Sequence, residues 1–178
     1  MRPESTARRV LAQGGALVPA VILLDGRSGS GKTVLAESLC ALSQGTILHL
    51  DDLYPGWDGL SAGSRAVATA LQTGTYSRFD WDSMQSAEQM SLCRHGPLIV
   101  EGCGAVTARN LHAARAWAAG SPVHSIWLEC PTDVRQARAL SRDGDMFRPH
   151  WEAWASQEEA HLAVERPLAL AAEVIHCR

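Results

Sequence analysis

The chain has 178 residues and a formal net charge of −3, with 46% hydrophobic and 20% charged residues. These values are typical of one soluble globular domain, here residues 1–178, and they argue against a disordered chain. No apolar run approaches the ~20 residues that a membrane helix needs. Residues 1–13 lack the apolar core of a signal peptide. We therefore expect a cytoplasmic protein with no membrane partner, and the small net charge gives no reason to expect a nucleic-acid partner.

The cysteines, the histidines and the single lysine limit the kinds of disulfide, metal and phosphate site that we expect in this chain. The five cysteines form no Cys-x-x-Cys pair, which predicts small buried side chains rather than a disulfide framework or a zinc site. The seven histidines show no spacing typical of metal ligands. Of the 16 basic residues, Lys32 alone is a lysine. In an Arg-rich chain this indicates a position that needs a compact charge instead of the wide guanidinium fork.

Short apolar runs alternate with longer helical patterns, which is typical of βαβ units around a parallel sheet. The predicted strands are 20–24, 46–50, 97–100, 123–128 and 173–177. The predicted helices are 4–12, 32–42, 61–73, 82–94, 109–119, 132–140 and 151–164, and the pattern of 82–94 is the weakest. The sequence therefore predicts an α/β fold with a five-stranded parallel sheet covered on both faces.

Residues 26–33 read Gly-Arg-Ser-Gly-Ser-Gly-Lys-Thr and match the phosphate-binding P-loop pattern GxxxxGK[ST]. Glycines let backbone N–H groups curl around phosphate oxygens, and the following helix N-terminus adds partial positive charge. We expect Lys32 to reach the β- and γ-phosphates of ATP and the Thr33 hydroxyl to bind Mg²⁺. The predicted nucleotide-binding residues are Gly26, Arg27, Ser28, Gly29, Ser30, Gly31, Lys32 and Thr33.

Carboxylates follow the predicted strands. Asp51 and Asp52 follow the second strand and Glu101 follows the third, and ligands bind at the carboxyl ends of strands in an open parallel sheet. Asp51 fits a general base for a hydroxyl nucleophile, with Asp52 and turn capping as alternatives left open. Thr33, Glu101 and Asp51 are candidate Mg²⁺ ligands. Asp25, which closes the first strand, fits either a structural hydrogen-bond acceptor or a group outside the metal ligands.

The P-loop, Leu-Asp-Asp-Leu-Tyr at 50–54 and Leu-Ile-Val-Glu-Gly at 98–102 resemble the uridine kinase and nicotinamide riboside kinase group of P-loop kinases. The resemblance covers about residues 20–105 well and the rest loosely. It implies a three-layer P-loop NTPase fold with the strand order of nucleoside and nucleotide kinases. It also implies ATP- and Mg²⁺-dependent phosphoryl transfer to a small-molecule hydroxyl, first of all that of a nucleoside. Dimers are common among such kinases, so a homodimer is one expectation.

The resemblance also assigns residue roles. It implies Asp51 as the catalytic base, and Arg-Phe-Asp-Trp-Asp at 78–82 resembles a segment whose aspartate holds ribose hydroxyls. The implied substrate-binding residues are Asp80, Asp52, Tyr54 and Arg78. For Asp82 the alternative is the cap of the helix predicted after it.

Residues 135–144 resemble the lid of nucleoside and nucleotide kinases, and we expect the lid at about 138–149. Arg135, Arg138 and Arg142 are three and four residues apart and share one helix face. The resemblance implies that Arg138 and Arg142 act with Lys32 and Asp51 in catalysis, by neutralising charge on the transferred phosphoryl group. The alternative is a solvated basic face.

The acceptor is the least determined feature of the sequence. Trp57 and Trp81 are candidates to stack on a planar substrate, whereas for Trp151 and Trp154 core packing is the better interpretation. Alternative functions are a kinase of a non-nucleoside alcohol, or of a nucleoside monophosphate bound by arginines such as Arg65 and Arg78. A further alternative is a nucleotide-binding switch, although the guanine-reading motif Asn-Lys-x-Asp is missing from the sequence.

Overall fold

Five short strands form a parallel sheet in the computed structural model, which describes residues 2–13 and 18–177. The strands are β1 (Val21–Asp25), β2 (Thr46–His49), β5 (Leu98–Glu101), β6 (Val123–Glu129) and β7 (Glu173–His176). Their order across the sheet is β2-β5-β1-β6-β7, so the strand before the P-loop is the central one. All neighbouring pairs are parallel, which brings the carboxyl ends of the strands to one edge. The predicted α/β fold with a five-stranded parallel sheet is confirmed.

Helices cover both faces of this sheet. They are α1 (Pro3–Gln13), α2 (Lys32–Ser43), α3 (Leu60–Thr73), α4 (Ala108–Ala118), α5 (Thr132–Phe147), α6 (Trp151–Glu165) and α7 (Pro167–Leu170). Alternate side chains of β1 point to opposite faces: Val21 and Leu23 pack with α3 and α4, whereas Ile22 and Leu24 pack with α1 and α2. None of the helices within residues 2–13 and 18–177 is long and apolar enough to cross a membrane.

The prediction of a helix over residues 82–94 is wrong. An antiparallel hairpin of β3 (Thr75–Asp80) and β4 (Gln85–Ser91) occupies this region instead. Asp80 closes the turn, because its carboxylate accepts hydrogen bonds from Asp82 N at 3.0 Å and Ser83 Oγ at 2.7 Å. Asp82 therefore caps no helix. The weak helical pattern misled because pairing with β3, and not burial of one face, gives β4 its conformation.

Helix α5 is longer than predicted and contains a break. It runs to Phe147, seven residues beyond the predicted end at 140, and Gly144 within it has a non-helical backbone with φ 54° and ψ −129°. This glycine lies inside the predicted lid segment. Its left-handed φ is readily adopted by glycine and changes the direction of the chain before α6.

The prediction of unpaired cysteines is wrong for Cys130 and Cys177, which form a disulfide with Cα atoms 5.1 Å apart. Cys130 directly follows β6 and Cys177 directly follows β7. Glu129 is opposite His176 in this strand pair, so the next residues meet. The two cysteines are 47 residues apart in sequence, and only the sheet register brings them together. The free cysteines are Cys40, Cys93 and Cys103.

Candidate active site

The P-loop connects the central strand to helix α2 at the carboxyl edge of the sheet. Gly26, Gly29 and Gly31 all have positive φ values, which turn the loop backbone inward as phosphate binding requires. Lys32 is only 8% exposed, and its Nζ donates to Arg27 O at 3.2 Å. Burial lowers the pKa of Lys32, but the carboxylates around it, those of Glu101, Glu158 and Asp25, act in the opposite direction, and the net shift is upward. The lysine is therefore a cation at the floor of the loop.

Asp25 is a structural hydrogen-bond acceptor, which decides between the two roles left open for it. Its carboxylate accepts from the backbone N–H groups of Gly26 at 2.7 Å, Gly104 at 3.0 Å and Val106 at 2.8 Å. Burial raises the pKa of Asp25 to about 6, although these three bonds act in the opposite direction. The carboxylate thereby joins the end of β1 to the loop that follows β5. Glu101, the last residue of β5, directly precedes this loop.

Glu101, the last residue of β5, meets the P-loop threonine. Its Oε1 accepts from Thr33 Oγ1 at 3.3 Å and from His49 Nδ1 at 2.6 Å, and this second bond raises the pKa of His49. The Thr33 hydroxyl and the Glu101 carboxylate are thus neighbouring oxygen donors, the kind that Mg²⁺ binds. Within residues 2–13 and 18–177 no group of three or more His, Cys, Asp or Glu could hold a metal ion. The Thr33 and Glu101 oxygens fit the Mg²⁺ ligands that the sequence predicts, and metal binding itself stays a prediction.

Asp51, and not Asp52, lies in the pocket beside these groups. Asp51 is exposed to the open pocket, yet the protein groups that surround it raise its pKa by desolvation, the charge of Glu101 adds to this, and Lys32 acts in the opposite direction. The two carboxylates are therefore close enough to repel each other. A raised pKa makes a carboxylate a stronger base for a hydroxyl proton. Asp52 is half-buried outside the pocket lining, and burial raises its pKa too.

One pocket of about 480 Å³ contains both the P-loop and a group of aromatic rings. We call its two parts the phosphate end and the aromatic end. The phosphate end is lined by Ser28, Gly29, Gly31, Lys32, Thr33, Asp51 and Glu101. The aromatic end is lined by Tyr54, Trp57, Trp81, Phe147 and Trp154, with Met146 beside them. Asp51 therefore lies in the same pocket as the phosphate-binding loop and the aromatic rings.

Trp57 is the centre of the aromatic end. Its ring stacks on His150 with centroids 4.3 Å apart and on Phe147 at 5.5 Å, and it lies 4.7 Å from the tilted ring of Trp81. Trp81 is fixed in turn, because its Nε1 donates to Asp51 O at 2.9 Å. Trp154, for which core packing was the prediction, is 5% exposed and also lines the pocket. Tyr54 is almost fully buried, and its hydroxyl donates to Cys103 O at 2.7 Å.

Three of the residues predicted to bind the substrate, Asp52, Asp80 and Arg78, do not line this pocket. Asp80 holds the hairpin turn, and its bond from Ser83 lowers its pKa. Arg78 is exposed on β3. Their predicted contact with the acceptor therefore stays a prediction. Arg65, a candidate for binding a monophosphate, donates to Ser61 Oγ on the exposed side of α3.

The three arginines of α5 do different things. Arg142 lines the pocket and pairs with Asp143 through two bonds of 2.7 Å. Arg138 is exposed, contacts Cys130 Sγ at 3.5 Å and does not line the pocket, and its catalytic role stays a prediction. Arg135 is 2% exposed and donates to Ser28 O at 3.1 Å. All three arginines lie on α5 at the expected spacing, but Arg135 contacts the P-loop from outside the pocket.

Sequence reasoning missed three groups that surround the phosphate end. His49 could have been found, because it ends β2 directly opposite Glu101 at the end of β5. Cys103 lies 3.6 Å from Lys32 Nζ, and burial raises its pKa to about 12, so it is a neutral thiol. Glu158 contacts the P-loop from α6, more than 120 residues further along the chain. No local pattern indicates the last contact.

No model of a protein family matches the chain, and comparison with curated proteins found no match. Solved structures do share its fold. A proposed fructose transport system kinase from Silicibacter sp. TM1040 is 21% identical with a TM-score of 0.57, and the match covers 98% of this chain and 99% of that one. A gluconokinase from Sinorhizobium meliloti 1021 is 19% identical with a TM-score of 0.52, covering 89% and 82%.

A shikimate kinase from Bacteroides thetaiotaomicron is 14% identical, also with a TM-score of 0.52, and covers 88% of this chain and 86% of its own. At these identities the likeness shows a shared fold, that of P-loop small-molecule kinases. None of these three proteins is a uridine kinase or a nicotinamide riboside kinase. Membership of that group therefore stays a prediction.

Proposed function

We propose that the protein is an ATP- and Mg²⁺-dependent kinase of a small molecule that carries a hydroxyl group. One observation supports this most strongly. The P-loop lysine, the Thr33–Glu101 oxygen pair and the carboxylate of Asp51 all line one pocket. A phosphate cradle beside a carboxylate of raised pKa is what transfer to an alcohol needs, because the alcohol must lose a proton as it attacks. We place the reaction in the cytoplasm, where ATP is available.

The proposal gives each residue a role. The P-loop amides and Lys32 hold the ATP phosphates, and Thr33 and Glu101 hold Mg²⁺, which supplies charge neutralisation when bound. Asp51 orients the acceptor hydroxyl and takes its proton. Arg142 offers a further positive charge to the transferred group if its pairing with Asp143 opens. The aromatic end shields these groups from water, which suppresses hydrolysis of ATP without an acceptor.

A nucleoside is the first candidate acceptor. The sequence resemblance indicates it, and the rings of Trp57 and Trp81 line the pocket, where they offer apolar contacts to a planar base. The hydroxyl to be phosphorylated would then lie at Asp51, where the aromatic end meets the phosphate end.

A non-nucleoside alcohol is the second candidate. It is favoured by the position of Asp80, because the aspartate expected to hold ribose hydroxyls is engaged in the hairpin turn. Three of the structural neighbours are a proposed fructose transport system kinase, a gluconokinase and a shikimate kinase, and none of these is named for a nucleoside acceptor. An aromatic alcohol would suit the ring-lined wall better than a sugar, because a polyol needs polar partners that a ring face does not provide.

The test is Mg-ATP consumption against a panel of nucleosides, nucleoside monophosphates, sugars, sugar acids and aromatic alcohols. We expect one class to stimulate ADP release, with the phosphorylated acceptor identified by mass spectrometry. Stimulation by a nucleoside would support the first candidate, and stimulation by another alcohol the second. ATP binding without stimulation by any acceptor would contradict a kinase and favour a nucleotide-dependent switch.

A further inference from the structure

A glutamate on α6 contacts the P-loop outside the lining of the pocket. Glu158 is 3% exposed, and its Oε1 accepts a hydrogen bond from the backbone N–H of Ser28 at 2.7 Å. Its Oε2 accepts from Arg27 Nε at 2.8 Å. Both partners are P-loop residues, and both precede Gly29 and Gly31 in the loop. The carboxylate therefore grips the first half of the loop while it leaves the second half free.

Arg27 strengthens this connection. Besides Glu158, its guanidinium donates to Ala155 O at 3.3 Å and to Glu159 Oε1 at 3.1 Å. All three acceptors belong to α6. The side chain of Arg27 is thus bound to α6 and does not line the pocket, and its contact with a nucleotide stays a prediction.

The carboxylate is charged at neutral pH in spite of its burial. Burial raises the pKa of Glu158, but the hydrogen bonds from Arg27 and Ser28 outweigh it and bring the pKa below its ordinary value. A buried carboxylate is retained where its partners compensate for lost hydration, and such bonds are among the stronger ones in proteins. The grip on the P-loop is therefore firm.

We propose that Glu158 is a positioning residue for ATP binding, which holds residues 27 and 28 so that the P-loop has its phosphate-binding shape before the nucleotide arrives. The inference rests on the proposed function, because it takes ATP to be the ligand of the loop. A loop fixed in its bound shape loses little conformational freedom on binding, and this improves affinity. The opposite role is that the carboxylate occupies an N–H that phosphate needs, and the two roles predict effects of opposite sign.

The test is calorimetric titration with Mg-ATP, together with steady-state kinetics using the acceptor found by the panel. For Glu158→Ala we expect the Kd for Mg-ATP to rise about tenfold or more, because two charge-assisted hydrogen bonds are lost. For Glu158→Gln we expect a smaller rise, since the amide oxygen still accepts from Ser28 N while the ion pair with Arg27 is lost. The KM of the acceptor should change less than about twofold in both.

Glu159→Gln is the matched control, because Glu159 is the next residue and also contacts Arg27, but its side chain is 70% exposed. Exposed ion pairs contribute little, so its Kd for Mg-ATP should stay within about twofold of wild type. If Glu158→Ala does not fold, Glu158→Gln alone and combined with Arg27→Gln gives the same information. In that pair the double variant should weaken ATP binding by less than the two single changes multiplied together.

Two results would overturn the inference. Folded Glu158→Ala or Glu158→Gln protein that binds Mg-ATP as well as wild type, or better, would show that the carboxylate does not prepare the loop. Equal rises in the Kd for Mg-ATP and in the KM of the acceptor would show a general structural role instead. Wild-type protein that binds no Mg-ATP would overturn the proposed function, and this inference with it.

Discussion

The phosphate end and the aromatic end of the pocket are built in different ways. The phosphate end uses one continuous segment, residues 26–33, and the ends of neighbouring strands. The aromatic end collects single side chains from the loop after β2, the hairpin, α5 and α6. Single substitutions can therefore change the rings of the aromatic end while the phosphate end stays the same. Recognition of the donor is therefore separable from recognition of the acceptor, and substitutions in the two ends should have different signatures.

The largest effect is expected at the phosphate end. Lys32→Met should lower kcat by about 10³-fold, because it removes the buried cation that stabilises the transferred phosphoryl group. Lys32→Arg should restore little of this, since a planar fork does not fit where a compact ammonium is enclosed. Initial rates of ADP release with the acceptor present measure both. Near-wild-type activity of the arginine variant would remove the reason given for the chain's one lysine.

The contribution of Asp25, which lies beneath the phosphate end, to the free energy of unfolding should depend on pH. The pKa of Asp25 is about 6 in the folded protein against an ordinary 3.8. Because the folded state holds the proton more tightly, the stability from this group is complete below the lower value and is lost as pH rises through the higher one. The loss is up to about 3 kcal/mol.

The side chain of Asp25→Asn cannot titrate, so this variant should lack the pH dependence that Asp25 gives to the free energy of unfolding. Urea unfolding of wild type and variant between about pH 4 and pH 7 measures the difference in this free energy. Wild type should lose stability relative to the variant as pH rises. A difference that stays constant, or that grows in favour of wild type, would contradict the account of this buried carboxylate.

A smaller and more selective effect is expected at the aromatic end. Trp57→Ala should raise the KM of the acceptor by about tenfold and leave the KM of ATP within about twofold, because the ring lines the aromatic end, where the acceptor is proposed to bind. Trp117→Phe is the matched control, since Trp117 packs under Arg94 and does not line the pocket. Equal changes in both KM values for Trp57→Ala would mean that the two ends are not separable.

The smallest effect distinguishes the structure from the sequence resemblance. Asp80→Ala removes the carboxylate that closes the hairpin turn, so it should change the KM of the acceptor by less than about twofold. A carboxylate that held ribose hydroxyls would instead raise this KM by about tenfold or more when removed. The same kinetic assay with the best acceptor decides between the two.

The sequence predicted what depends on local pattern. The P-loop, the Asp51 position and Glu101 were found because a motif and strand ends place them, and the sheet order brings them together. The strands of the sheet were found to within one or two residues. The hairpin was missed because β4 is largely exposed and has little apolar pattern to read.

Contacts between distant segments could not be predicted. Glu158 reaches Ser28 over 130 residues of sequence separation, and Cys130 meets Cys177 only through the register of β6 and β7. Likewise, spacings of three and four residues predicted three arginines on one face of α5, but packing determined which of them reaches the pocket. Of these, only Arg142 reached the pocket.

The measurement that tests the central claim most directly compares wild type with Asp51→Asn. Both should bind Mg-ATP with similar Kd, because Asp51 acts on the acceptor and not on the phosphates. Acceptor-dependent ADP release should fall by about 10²-fold or more in the variant, as expected when a general base is removed. Unchanged acceptor-dependent turnover in Asp51→Asn, with ATP still bound, would contradict phosphoryl transfer to a hydroxyl held at Asp51.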